Sequence, residues 1–185
     1  MPATAQITPS PLMPEAAVRK HLELAIQASL KTQHRLAALL AAPDAETQWD
    51  QGAESAWFLQ YSDRKLRKLL QIFSRVAEIL QHPNLKIVCD DKFPKYGEAH
   101  PFIKRIKLGK AWAEASASER TQSLVHEASH IAGRSIINEG DWYGQQDSQA
   151  RAASSWMFNM RATRNADSLG YYAMDIAAGK VTLFQ

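Results

Sequence analysis

Ser116-Ala117-Ser118-Glu119-Arg120-Thr121-Gln122-Ser123-Leu124-Val125-His126-Glu127-Ala128-Ser129-His130-Ile131-Ala132-Gly133 is the stretch whose reading decides the fold. Ser116 followed three residues later by Glu119 is a capping box, in which each side chain satisfies a backbone N–H of the other residue at a helix start. Gly133 is a good C-terminal stop. Between them the sequence predicts a helix. His126 and His130 lie four residues apart, slightly more than one turn, so both imidazoles project from one face. Two imidazoles at that spacing can share a tetrahedral Zn²⁺. Glu127, beside the first of them, can reach a water on such a metal and take its proton. The bland reading is two surface histidines on a helix. The independently predicted helix, the glycine loop that follows it and the candidate third ligands close downstream favour a metal site.

Around this helix the chain divides into two characters. Residues 14–82 are helical in pattern. Pro14 suits a first helical turn. Val18, Leu22, Ile26, Leu30, Leu36 and Leu40 then recur at helical spacing over 15–42. A second helix is predicted over about 54–80 through Trp57, Tyr61, Leu66, Leu69, Phe73, Val76 and Leu80, ended by His82-Pro83-Asn84. In residues 83–185, Leu85–Cys89 reads as a short strand. Phe102–Leu108, alternating apolar and basic after Phe102, reads as a half-buried or edge strand. The segment between them, with Pro94, Gly97 and Pro101, reads as a loop. Two more helices are expected at about 146–161 and 165–178. Residues 1–13, with three prolines, read as a flexible lead-in. The expectation is one mainly α (α+β) domain over 14–185 with a small β-sheet or hairpin.

Composition sets limits. The hydrophobic content of 45% fits a globular chain, and the net charge of +3 is small for a nucleic-acid binder. The single cysteine, Cys89, excludes an intramolecular disulfide and a thiolate zinc finger, and reads as buried filler. The N-terminus lacks the basic and apolar regions of a secretory signal, and no stretch suffices to span a bilayer. Synthesis in the cytoplasm is expected, with export only by a route that reads no such signal. Arg64-Lys65-Leu66-Arg67-Lys68 is read as a solvated helix face, and Trp57, Trp112 and Trp156 as core. Trp142 is placed at the cleft. His100 shows no ligand spacing to the other histidines.

A catalytic zinc needs a third protein ligand and an open fourth position. Asp141, eleven residues after His130, is favoured for it, with Glu139 and Asp147 as rivals. The Tyr143 phenol is placed to donate to the oxyanion of a tetrahedral intermediate. These residues together point to a zinc-dependent endopeptidase acting on protein or peptide. The competing reading is a non-catalytic helical interaction module with an accidental or decayed motif.

From Leu124 to Tyr172 the chain resembles the aspzincin metallopeptidases, the deuterolysins and lysine-specific metallo-endopeptidases. The resemblance rests on His126-Glu127-x-x-His130, Gly140-Asp141-Trp142-Tyr143-Gly144, and Asn165-Ala166-Asp167 followed by Tyr171 and Tyr172. The family pattern has two residues between aspartate and tyrosine, where this chain has one. The resemblance implies a zincin-like fold with one zinc per chain, held by His126, His130 and Asp141, with Glu127 as general base and Tyr143 as transition-state donor. It implies that Asp167 receives a substrate lysine, the bland alternative being a helix cap. Resemblance to bacterial members further implies a secreted toxin or effector, which would bring an immunity or carrier protein as partner.

Overall fold

The computed structural model describes residues 5–133, 144–154 and 161–181. Helix α1 spans Glu15–Ala41 behind Pro14, whose carbonyl accepts from Ala17 and Val18. Its buried stripe runs through Val18, Leu22, Ala25, Ile26, Leu36 and Leu39. Ser29 and Thr32 interrupt that stripe, but each returns its hydroxyl to the carbonyl one turn back, at 2.8 Å, so neither buries an unpaired donor.

The predicted second helix is in fact two, α3 (Ala53–Phe58) and α4 (Asp63–Leu80), preceded by the short α2 (Ala45–Asp50). Leu59 breaks the run with a positive φ of 53°. Trp49 Nε1 donates to the Leu59 carbonyl, and Ser62 caps α4 by accepting from the Lys65 backbone N–H. The Lys65 ammonium turns inward to the carbonyls of Phe58 and Gln60, 2.9 and 2.8 Å away. One member of the basic cluster therefore satisfies the loose end of α3 and is not on a solvated face.

Strands β1 (Gln6–Thr8), β2 (Lys86–Cys89), β3 (Gly97–His100) and β4 (Arg105–Leu108) form one sheet in the order β1-β2-β4-β3. The first three in that order run parallel, and β3 is antiparallel to β4 on the edge. Two expectations are corrected here. Within the lead-in, residues 5–13 are tied down: Ile7 pairs with Ile87, Ser10 Oγ donates to Asp91 at 2.5 Å, and Met13 is fully buried. Pro9 and Pro11 lie beyond the edge strand and cost it no ladder bond, so proline content alone misled. The loop before Phe102 contains β3. Phe102 itself, with Pro101 and Ile103, belongs to a 3₁₀ turn, and the following strand starts only at Arg105. Gly97-Glu98-Ala99-His100 has no β-branched residue and becomes a strand only through pairing with β4. The strand Lys86–Cys89 agrees with expectation. Burial pushes the Cys89 thiol up to about 11, which leaves it unreactive.

Helix α5 (Lys110–Glu114) leads into α6 (Ala117–Ala132), followed by α7 (Gln145–Ser154) and α8 (Ala166–Ala178). Helices α1, α4, α6 and α8 pack on one another around Trp57, Phe73, Leu124 and Tyr172. The mainly helical fold with a minor sheet is as the sequence indicated. Trp57 and Trp112 are core, while Trp156 lies outside the described residues. No helix among the described residues is long and apolar enough to cross a membrane.

Two polar groups tie the helices together. Glu54 is fully buried and accepts from Arg35 Nε at 3.0 Å and from Tyr172 at 2.9 Å, while Trp57 Nε1 donates to Asp175 at 2.9 Å. Removing the carboxylate leaves a guanidinium and a buried phenol without their shared acceptor. Glu54→Ala is therefore expected to cost about 3 kcal/mol, the low end for a broken buried pair because Arg35 keeps some solvent. For a chain of this size that lowers the melting temperature by roughly 6–12 °C, read by calorimetry.

His21 of α1 meets α6 and α5. Its Nδ1 lies 3.0 Å from the Thr121 hydroxyl, and its ring stands edge-on to Trp112. Thr121 gives its own proton to the Ala117 carbonyl, so His21 donates. Burial, then the Arg120 and Lys20 charges, hold His21 below its ordinary value. The unfolded chain then binds the extra proton first, so this contribution to stability is complete above about pH 6.5 and is lost as pH falls below it. His21→Gln is expected to flatten the rise in melting temperature between pH 5 and pH 7. An unchanged slope would contradict this.

Candidate metal centre

Both arms of the predicted capping box are present in α6: Ser116 N–H donates to Glu119 at 2.9 Å, and Glu119 N–H to Ser116 Oγ at 3.3 Å. Leu124, Val125, Ala128 and Ile131 anchor the helix in the core. That leaves His126 and His130 on the half-buried face. Gly133 ends the helix as expected, though with extended and not left-handed backbone.

The two Nε2 atoms stand 3.3 Å apart, with the rings inclined at 68°. Two nitrogens held about 2.0–2.1 Å from one tetrahedral ion are about 3.3 Å from each other. The separation is thus what a shared zinc requires. His126 Nδ1 lies 2.6 Å from Asp167 Oδ1. A carboxylate there fixes the Nδ1–H tautomer and turns the Nε2 lone pair toward the metal position, as outer partners of metal-binding histidines do. Glu127 Oε1 is 4.0 Å from His126 Nε2, and ligand atoms of His126, Glu127 and His130 all lie within 4.8 Å of one another. The donor set and its spacing fit zinc.

Asp167 sits in the first turn of α8, but the cap is Asn165, whose side chain accepts from the Ser168 N–H at 2.7 Å. Asp167 is thereby free to face α6. Gly170, one turn on, permits the approach: a Cβ there would stand 2.8 Å from Gln122 Nε2. Besides His126, Asp167 accepts from Gln122 Nε2 at 3.2 Å and from the Gly144 N–H at 2.8 Å. The carboxylate expected to receive a substrate lysine has both oxygens engaged by protein donors. Its shortest contact is the one to His126. Burial works against its charge, but the hydrogen bonds from His126, Gly144 and Gln122 outweigh this and hold the carboxyl below its ordinary value. Burial raises the Glu127 carboxyl, partly offset by His126 and by a hydrogen bond from the Ala99 N–H.

A cleft of 660 Å³ opens over this centre between Lys95–Gly97, the α6 face and α8. Tyr171 lines it, stacked on Trp57 with ring centroids 5.8 Å apart. Burial pushes its phenol up to about 12, so it is a hydrogen-bond donor at neutral pH. Asp147 is on the exposed side of α7, paired with Arg151 at 3.7 Å, and does not join the cluster. Neither does His100, which approaches Glu98. Asp141, Glu139, Trp142 and Tyr143 lie outside the described residues. Sequence reasoning missed β3 and Gln122. A glycine inside a short polar strand, Gly97, was the available signal that another group approaches there.

No protein-family model matches the chain, and no curated sequence matches it significantly. Among solved structures, a zinc peptidase from Grifola frondosa is similar at 18% identity with a TM-score of 0.67, over 88% of this chain and 96% of that one. At that identity the likeness is one of fold, and it extends over nearly the whole length of both chains.

Proposed function

We propose that the chain is a zinc-dependent endopeptidase. The observation that carries this reading is the His126–His130 pair, with nitrogens at tetrahedral spacing, one ring locked by Asp167, and Glu127 alongside under an open cleft. Zinc, when bound, supplies a Lewis acid that polarises a peptide carbonyl and makes water acidic near neutral pH. His126 and His130 would hold it, with Asp141 as third ligand. Glu127 takes the proton of the attacking water and returns it to the leaving amine. Its burial raises its proton affinity, which suits a group that must both accept and release. Tyr143 is assigned the oxyanion as hydrogen-bond donor. Similarity in fold to the Grifola frondosa zinc peptidase supports the coarse reading of a zinc peptidase.

Preference for lysine is the finer part of the proposal. Asp167 keeps its negative charge while holding His126, and Glu119 adds a second carboxylate along the same cleft. A lysine ammonium entering between them meets favourable charge even without a direct bond. The test is incubation of the zinc-loaded chain with an unfolded protein substrate and mapping of the cut sites by mass spectrometry. Cleavage stopped by a chelator, restored by zinc and enriched beside lysine is expected. A zinc-loaded chain that cuts nothing would sink the reading. Action as an exported toxin is tested by directing the chain to the periplasm or cytoplasm beside its Glu127→Ala form. A growth defect only with the intact glutamate is expected, and no defect in either compartment counts against it.

A further inference from the structure

Gly97 has no conformational reason to be glycine. It lies in β3, paired with Leu108, and its φ is not in the left-handed region. Glycine weakens a strand interior, so its presence needs another cause. The cause is space. A Cβ built on Gly97 would stand 2.7, 2.9 and 3.0 Å from Oε1, Cγ and Cδ of Glu127, and those three are its nearest atoms. Two residues along the same strand, the Ala99 backbone also faces the Glu127 carboxylate. The side chain of Glu127, a residue only 6% exposed, is thus packed against the position where Gly97 lacks a side chain.

We infer that the edge strand β3 is the positioning element for the general base, with Gly97 providing the space that sets the Glu127 rotamer. The inference rests on the peptidase reading of Glu127. His126, on the same helix, sets where the metal is; β3 sets where the carboxylate is relative to it. A general base must sit within hydrogen-bond reach of the proton it takes, and displacement by about an ångström costs roughly 10²-fold. Gly97 lines the cleft, but its effect on the reaction is exerted through Glu127. It is a positioning residue.

The experiment compares wild type, Gly97→Ala, Glu127→Ala and the double variant, all zinc-loaded. Gly97→Ala is expected to lower kcat at least 10-fold per zinc-loaded site, with KM within 2-fold and one zinc per chain retained. A merely structural role would instead lower zinc content and melting temperature without that split. The melting temperatures give a readout independent of activity. Because the clash is with the Glu127 side chain, any loss of melting temperature in Gly97→Ala is expected to be recovered in Gly97→Ala/Glu127→Ala. A Gly97→Ala enzyme with wild-type kcat, or a melting loss that Glu127→Ala does not relieve, overturns the inference while leaving the peptidase reading intact. If Glu127→Ala cleaves as well as wild type, the peptidase reading fails and this inference falls with it.

Discussion

Glu127→Ala is expected to abolish peptide cleavage while the chain still binds one zinc ion. Loss of a positioned general base removes roughly 10²–10⁴-fold in rate. Metal retention follows from geometry. The two Nε2 atoms keep their 3.3 Å spacing through α6 and through Asp167, neither of which depends on Glu127. The Glu127 carboxylate is turned toward Gly97 and Ala99. Removing a carboxylate that burial disfavours also removes a stability cost typical of active sites. The metal-free variant is therefore expected to melt no lower than the metal-free parent. Assay by peptide cleavage, metal analysis and calorimetry on one preparation checks all three. A variant that loses zinc would make Glu127 a ligand in place of a base.

Asp167→Ala is expected to weaken zinc binding about 10–100-fold, the usual effect of removing the outer partner of a metal-bound histidine. His126 would lose the acceptor at 2.6 Å that fixes its tautomer, and Gly144 would lose the anchor for its N–H. Competition against a chromophoric chelator measures this directly. The result separates two roles. If Asp167 serves only a substrate lysine, zinc affinity is unchanged and kcat/KM falls for lysine substrates alone. If it holds His126, zinc affinity falls and activity at limiting zinc falls for every substrate.

What was legible in the sequence was local. The capping box at Ser116–Glu119 and the i,i+4 histidines are properties of one helix, and helical periodicity carries them without help from the rest of the chain. The apolar stripes of α1 and α4 were legible for the same reason. What was hidden depends on partners distant in sequence. Strand β3 exists because β4 pairs with it, and nothing in Gly97–His100 announces that. Strand β1 exists because Lys86–Val88 offers an edge to residues that read as a proline-rich lead. The break at Leu59 follows from tertiary donors, Trp49 and Lys65, that collect the freed carbonyls. Asp167 was singled out as a site residue, but its partner His126 is 41 positions away, and only folding shows which side of the site it serves.

The most direct test of the central claim is a crystal structure of the zinc-loaded chain with anomalous data at the zinc edge. One zinc is predicted, about 2.0–2.1 Å from Nε2 of both His126 and His130, with an Asp141 oxygen as third protein ligand. His126 Nδ1 should still lie on Asp167, and the Glu127 carboxylate should stay outside bonding distance of the metal. Zinc bound elsewhere, or held by the Glu127 carboxylate itself, would contradict the account.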